Sequence, residues 1–203
     1  MESPGETKGL VIKVKDITLG FAITGSFCTF DKALAVMEYF LKAGYNIVPI
    51  MSQNAYTTDT RFGTAEHFGR RITELTGRAI IHDISSAEPI GPERLLDAML
   101  ILPCTGNTLG KLAGGITDTS VTMAAKAHIR NARPLILGVS TNDALGTSAK
   151  NIGQLMNQKH VYLVPMRQDD HINKPNSIVA DFESAGQAVE SALAGIQCQP
   201  LYV

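Results

Sequence analysis

The stretch MLILPCTGNTLGKLAGGITD, residues 99–118, decides the fold of this chain. Its first four residues, Met99 to Leu102, are a continuous apolar run, which is typical of a strand buried on both faces of a parallel sheet. The residues after Asn107 have the pattern of a helix, so the small polar residues in between form a loop at the carboxyl end of a strand. In open α/β sheets ligands bind at that edge, where helix N-termini favour negative charge.

Two interpretations of this loop remain open on the residues alone. Thr105, Gly106, Asn107 and Thr108 offer two hydroxyls, an amide and a close approach to the backbone, which suit a phosphate or a polar heteroaromatic ring. The same residues also suit a helix N-cap followed by a glycine-rich turn, with no ligand at all.

The rest of the chain alternates strands and helices in the same way. We predict strands at 18–24, 46–51, 78–84, 99–102, 135–139 and 160–164, and helices at 31–43, 65–76, 151–158 and 180–194. One more helix is predicted to run on from the 105–108 loop through 121–131. This alternation predicts an α/β fold, a three-layer, Rossmann-like, doubly wound parallel sheet of the flavodoxin-like kind, in a single domain over 1–203.

Two polar segments interrupt the alternation. Residues 53–64, QNAYTTDTRFGT, have the composition of a long turn-rich loop and are predicted to form a lid. Residues 167–178, RQDDHINKPNSI, are charged and poor in apolar side chains, which predicts either a mobile flap or a solvated connection.

The overall composition argues against several classes of function. The chain has 203 residues, of which 44% are hydrophobic, as expected for one domain with a substantial core. Its 18 basic and 19 acidic residues nearly cancel, so the basic footprint of a nucleic-acid-binding protein is missing and we expect a small-molecule ligand. No apolar run reaches the roughly 18 residues that span a bilayer, and the first residues, MESPGETKG, do not resemble a secretory signal.

The cysteines indicate a reducing compartment. Cys28, Cys104 and Cys198 are odd in number and widely spaced, and none forms a CxxC pair or has a histidine nearby at metal-ligand spacing. We therefore expect the cytoplasm and no metal. Each cysteine is more readily interpreted as a small apolar residue than as a catalytic thiol.

Several short motifs occur in one order along the chain. They are TGS at 24–26, Ser52, PCTGNTLGKLAGGITD at 103–118, STND at 140–143 and KPNS at 174–177. Each motif alone is weak, but together they resemble the flavoprotein family that includes flavin-dependent cysteine decarboxylases and flavin prenyltransferases. The likeness covers nearly the whole chain.

The resemblance implies an FMN site at the carboxyl edge of the sheet. The residues so implied are Gly25, Ser26, Phe27 and Ser52 at the phosphate and ribityl chain, Thr105, Gly106, Asn107 and Thr108 beside the ring, and Ser140 flanking the ring or phosphate. Hydroxyls and backbone N–H groups at helix N-termini hold phosphate without a lysine. The loop GSFCTF is not GxGxxG, so it does not indicate NAD(P).

The resemblance also implies catalytic residues, with one departure. The decarboxylases use the asparagine at the position of Asn107 to hold the substrate carboxylate, and Asn142 matches an asparagine of their second motif; either can instead satisfy loop backbone. Their base histidine falls at Thr57, and threonine is not a general base near neutral pH. His67 has the setting of a surface histidine.

Substrate and partners are expected on the same grounds. Arg61 in the lid and Lys174 in the flap are candidate ligands for a small dicarboxylate. The resemblance implies an oxidoreductase component that works with a separate partner protein and forms a homo-oligomer, either a trimer or a dodecamer. Two alternatives remain open, a stand-alone flavin-dependent decarboxylase or prenyltransferase, and a non-catalytic scaffold or regulatory component.

Overall fold

Five parallel strands form the centre of the molecule in the computed structural model, which describes residues 17–203. They are β1 (Thr18–Ile23), β2 (Asn46–Met51), β3 (Ala98–Cys104), β4 (Leu135–Thr141) and β5 (Val161–Leu163). Their order across the sheet is β2-β1-β3-β4-β5. This is the order of a flavodoxin-like doubly wound sheet, and the predicted fold class is confirmed.

Helices cover both faces of this sheet. Those in the described residues are α1 (Phe30–Lys42), α2 (Gln53–Thr57), α3 (Ala65–Thr76), α4 (Ile84–Ala87), α5 (Gly106–Ala113), α6 (Ser120–Ile129), α7 (Ala149–Met156) and α8 (Ala185–Leu193). Alternate residues of β3 face opposite layers, since Leu100 and Leu102 pack with α1, α3 and α8, whereas Met99 and Ile101 pack with α4 to α7. The result is three layers with two apolar cores.

An antiparallel hairpin completes a seven-stranded sheet. Its strands are β6 (Met166–Asp170) and β7 (Lys174–Ala180), and β7 pairs with the end of β4 through Val179 and Ile178. The solvated connection expected at 167–178 is therefore wrong, because these residues pair as strands, while a mobile flap there stays a prediction. Most of β6 is exposed, so its polar composition hid a strand whose pairing is made by the backbone.

Between β2 and β3, part of the predicted 53–64 loop is helical and the strand predicted at 78–84 is wrong. Residues 53–57 form α2, because the Ser52 hydroxyl caps this helix by accepting from the Ala55 N–H, and a lid at 53–64 stays a prediction. No strand forms at 78–84, where the structure has a single bridge between Ile50 and Ile81. Asp83 caps α4 instead, and its hydrogen bonds with Ser85 and Ser86 lower the pKa of its carboxyl to about 2.

The predicted continuous helix from the 105–108 loop through 121–131 is two helices. Gly115 adopts a φ of +69° just after α5, a conformation that glycine adopts without strain. The chain then turns, and Thr119 and Thr122 form a capping box that starts α6. The break brings the N-terminus of α6 to the end of β2, where the Ser120 hydroxyl donates to the Met51 carbonyl at 2.5 Å.

Three other expectations concern the chain as a whole. The polar residues 1–9 lie outside the described residues. Within 17–203, none of the helices combines the length and apolar character that crossing a bilayer requires. Cys104 and Cys198 are buried thiols, as expected for small apolar residues, whereas Cys28 is exposed.

His128 lies fully buried on α6 and carries an unusual hydrogen-bonding state. Its Nε2 lies 2.9 Å from the Pro134 carbonyl oxygen, while Nδ1 has no partner among residues 17–203. Burial lowers the pKa of this imidazole; the Pro134 carbonyl and Asp97 oppose the shift, and Arg133 adds to it. The folded chain therefore favours neutral His128.

We expect this histidine to make the protein less stable in mild acid. Below the ordinary histidine pKa of about 6.5, the unfolded chain binds a proton that the folded chain refuses, so the free energy of unfolding falls by up to about 1.4 kcal/mol per pH unit. H128Q keeps a donor for Pro134 and removes the titration. Urea unfolding between pH 6.5 and 5 should show a shallower decline for H128Q, and equal declines would contradict this account.

Candidate functional site

The site begins at Thr24, which joins the ends of β1 and β3. Thr24 is 1% exposed, and its hydroxyl donates to the Pro103 carbonyl at 2.8 Å and accepts from the Thr105 N–H at 3.0 Å. Because α1 and α5 leave these two strands toward opposite faces of the sheet, the loops diverge and leave a crevice between them. Sequence reasoning assigned no role to Thr24, although a lone threonine ending an apolar strand is a usable signal.

The loop after β1 presents free backbone N–H groups to this crevice. Within residues 17–203 no hydrogen bond joins the amides of Gly25, Phe27 and Cys28 to an acceptor, whereas the Ser26 N–H donates to Thr24. Three unpartnered amides close together before a helix form a binding surface for an anion. The Ser26 and Ser140 hydroxyls lie 2.9 Å apart, so the ends of β1 and β4 meet here.

The first turn of α5 forms the other wall. Thr105 is its N-cap and accepts from the Thr108 N–H at 3.5 Å, while the two hydroxyls lie 3.1 Å apart. The N-cap interpretation is thus confirmed, and it occupies both threonine hydroxyls. Asn107 is exposed, and neither its side chain nor the Gly106 N–H is hydrogen-bonded within residues 17–203, so the groups available to a ligand are an amide and backbone N–H groups.

Asn142 lies on the neighbouring strand end. It follows the last residue of β4, is exposed, and its Oδ1 accepts from the buried Ser177 hydroxyl at 3.4 Å. This hydrogen bond fixes the side-chain oxygen and leaves the NH₂ group free to donate. The second predicted amide is therefore held by the hairpin rather than by its own loop.

Gly106 is packed against three polar oxygens that sequence reasoning missed. A Cβ atom at this position would lie 2.7 Å from Thr141 Oγ1 and 2.8 Å from both Asp143 Oδ1 and Ser148 Oγ. Asp143 Oδ1 accepts from Thr141 at 2.5 Å and from Ser148 at 2.9 Å. Asp143 belongs to the STND motif, so its position was visible, but the distant contact with Gly106 was not.

Ser52 lies close to the same edge, and its hydroxyl oxygen already accepts a hydrogen bond within the chain. It is 9% exposed, its N–H donates to Ile23 at the end of β1, and its Oγ accepts from Ala55 at 3.3 Å. The hydroxyl proton remains available for an anion. Thr57, one turn further, donates to the Gln53 carbonyl and so is satisfied within its own helix.

The two predicted cations differ in position. Arg61 is exposed and stacks over the Phe62 ring, 4.9 Å from its centroid, and nothing in residues 17–203 joins it to the crevice. Lys174 is the first residue of β7 in the hairpin, where its ion pair with Asp169 at 2.9 Å raises the pKa of the amine.

The hairpin forms a wall beside the crevice. Ile178 pairs with Thr141, the last residue of β4, so residues 174–177 continue past the strand end by roughly 13 Å at 3.4 Å per residue. His67, by contrast, is exposed on α3, and the expectation of a surface histidine is confirmed.

The predicted site residues therefore fall into two groups. The structure brings together, at one edge of the sheet, Gly25, Ser26, Phe27, Ser52, Thr105, Gly106, Asn107, Thr108, Ser140 and Asn142. Lys174 lies on the part of β7 that continues past the end of β4. Arg61 stays apart within this chain. Together these residues can bind an anion through backbone N–H groups, and the side-chain amides of Asn107 and Asn142 lie at the same edge of the sheet.

Comparison with known proteins agrees with this geometry. The sequence matches the profile of a family described as Flavoprotein over residues 12–191. It is 44% identical over 190 residues to the B subunit of dipicolinate synthase from Bacillus subtilis (strain 168), and the alignment covers 94% of this chain and 95% of that protein.

Solved structures show the same relationship. The crystal structure of the B subunit of dipicolinate synthase from Bacillus halodurans C superposes with a TM-score of 0.87 at 40% identity, covering 95% of this chain and 98% of that one. A dodecameric FMN-dependent Ubix-like decarboxylase from Escherichia coli O157:H7 superposes with a TM-score of 0.61 at 23% identity, covering 73% of this chain and 80% of that one. The second likeness shows the shared fold.

We expect Gly106 to tolerate no side chain. In G106A the new methyl meets three polar oxygens under 3.0 Å away, so either α5 or the loop after β4 must shift, at a cost of about 1–3 kcal/mol. G153A is the matched control, because a Cβ there has no atom within 4 Å and α7 should gain up to about 1 kcal/mol. Urea unfolding measures both, and a G106A protein as stable as wild type would contradict the contact.

Proposed function

The chain belongs to the flavoprotein family, and from this premise we propose that it is the FMN-binding B subunit of a dipicolinate synthase. In this proposal it works with the A subunit of that enzyme to oxidise a dihydrodipicolinate precursor to dipicolinate. The substrate loses two electrons and two protons and becomes an aromatic pyridine. The high identity over nearly the full length of both chains supports the assignment.

One observation supports FMN most directly, the contrast between two glycines. Gly106 is required by the fold, but a Cβ at Gly25 would meet only the Phe27 ring at 3.6 Å, an ordinary contact. Nothing in the packing of residues 17–203 explains a glycine at 25. A phosphate bound by the free amides of this loop does explain it, because a side chain at residue 25 would keep the anion away from those amides.

The residues present fit this cofactor. The amides of Gly25, Phe27 and Cys28 would bind the phosphate, with the Ser26, Ser52 and Ser140 hydroxyls around it. The first turn of α5, where Asn107 is exposed, would lie along the ring. When bound, a flavin supplies a two-electron acceptor for hydride from the substrate.

The chain's own side chains would orient the dicarboxylate. Asn107 and Asn142 each present an amide that can donate to a carboxylate while remaining neutral at any pH. Lys174, whose pKa is raised by Asp169, stays protonated and offers a cation from the hairpin. Two amides and one cation match a substrate with two carboxylates.

The rival activities find less support among the described residues. Thr57 occupies the position of the decarboxylase base and donates its proton to Gln53, so it offers no general base. We propose that this chain therefore depends on the A subunit for a complete reaction, in the mother-cell cytoplasm of a sporulating bacterium. We also propose a homo-oligomer, a trimer or a dodecamer, in which Arg61 serves the crevice of a neighbouring copy.

FMN binding should depend on the size of residue 25. In G25A we expect the dissociation constant for FMN to rise about tenfold or more, equivalent to about 1.4 kcal/mol, with the unfolding midpoint unchanged. G69A in α3 is the matched control and should bind like wild type. Fluorescence quenching of added FMN measures the constant. Equal binding by G25A would contradict the phosphate position, and a wild-type protein that binds no FMN would contradict the proposed function.

Turnover in the presence of the A subunit should depend on Asn107. Removing an amide that donates to a charged carboxylate costs about 1.5–3 kcal/mol, so N107A should lower kcat/KM by roughly ten- to a hundredfold. Q187A removes an exposed amide on α8 and serves as the control. Dipicolinate formation is followed by its ultraviolet absorbance, and unchanged turnover by N107A would remove this turn from the mechanism.

A further inference from the structure

Asp143 closes the loop after β4 on itself. Its Oδ1 accepts from the hydroxyls of Thr141 and Ser148, and its backbone carbonyl accepts from the N–H groups of Gly146 at 2.9 Å and Ser148 at 3.2 Å. Two hydrogen bonds thus hold the Asp143 carboxylate and two hold its backbone carbonyl, six residues before α7 begins. The two bonds to Oδ1 orient the carboxylate.

The closed loop is also the surface on which α5 rests. Gly106, the first residue of α5, approaches Thr141, Asp143 and Ser148 so closely that a Cβ would lie within 2.8 Å of all three oxygens. The Asp143 Oδ1 atom therefore lies against the first residue of α5. This close contact fixes the position of α5 relative to the loop after β4.

This contact lies between the immediate neighbours of the two candidate substrate amides. Asn142 precedes Asp143, and Asn107 follows Gly106. We propose that Asp143 is a positioning residue, whose clamped carboxylate sets the spacing between the amides of Asn107 and Asn142. The link to substrate rests on the proposed function, whereas the link to the α5 turn rests on the contacts alone.

A positioning residue differs from a residue that only stabilises the loop in two ways. Replacing a stabilising residue lowers only the free energy of unfolding, whereas replacing a positioning residue weakens the binding of a dicarboxylate to a protein that is still folded. The acceptor matters and the charge does not, so D143N, which keeps Oδ1 for Thr141 and Ser148, should rescue what D143A loses.

The test compares D143A, D143N and wild type as full chains. Hydrogen exchange without flavin should be faster in D143A over residues 105–109 and 141–148 only, and like wild type in D143N. Calorimetry with dipicolinate on the FMN-loaded protein should show about tenfold or more weaker binding for D143A and a change of less than about threefold for D143N. D143A should weaken FMN binding less than it weakens dipicolinate binding, since the Gly25, Phe27 and Cys28 amides that would hold the phosphate lie outside the α5 turn.

The outcomes distinguish a failure of the positioning role from a failure of the proposed function. Unchanged exchange in D143A, or equal impairment of D143A and D143N, would overturn the positioning role. A wild-type protein that binds neither FMN nor dipicolinate would overturn the proposed function, and the exchange data would still decide whether Asp143 holds the α5 turn.

Discussion

The hydrogen bonds of the Thr24 hydroxyl are the constraint on which the rest of the site depends. They join the ends of two adjacent parallel strands whose helices lie on opposite faces of the sheet. Without the hydroxyl, the partly buried Thr105 N–H would lose its partner, at a cost of about 1–3 kcal/mol, and the Pro103 carbonyl would keep only the Thr24 N–H at 3.3 Å. The crevice exists because the two loops diverge from this point.

At this edge the hydroxyls and the backbone have different tasks. The hydroxyls of Thr24, Thr105 and Ser52 are engaged in joining strands or capping helices, while the amides of Gly25, Phe27 and Cys28 have no partner in residues 17–203. Unsatisfied amides are costly when they are desolvated, so such a loop is stable when it faces water or an anion. The ligand-binding capacity therefore lies mainly in the backbone.

Sequence reasoning found the order and nature of the site but not its internal contacts. The strands predicted at 46–51 and 135–139 and the helix at 65–76 follow directly from apolar periodicity, and the structure confirms them, with the second strand two residues longer at Thr141. The strand prediction at 78–84 was wrong because these residues lie beside the edge of β2 and make a single bridge with it. The polar β6 was missed because pairing, not burial, makes it a strand. Asp143 against Gly106 is a contact across 37 residues (143 − 106), which no local pattern encodes.

A crystal structure of this chain with FMN tests the central claim most directly. We expect the phosphate oxygens within hydrogen-bond distance of the N–H groups of Gly25, Phe27 and Cys28, with the ring along the first turn of α5. Well-ordered FMN elsewhere on the chain, or a phosphate held by side chains with those three amides still unpaired, would contradict the account.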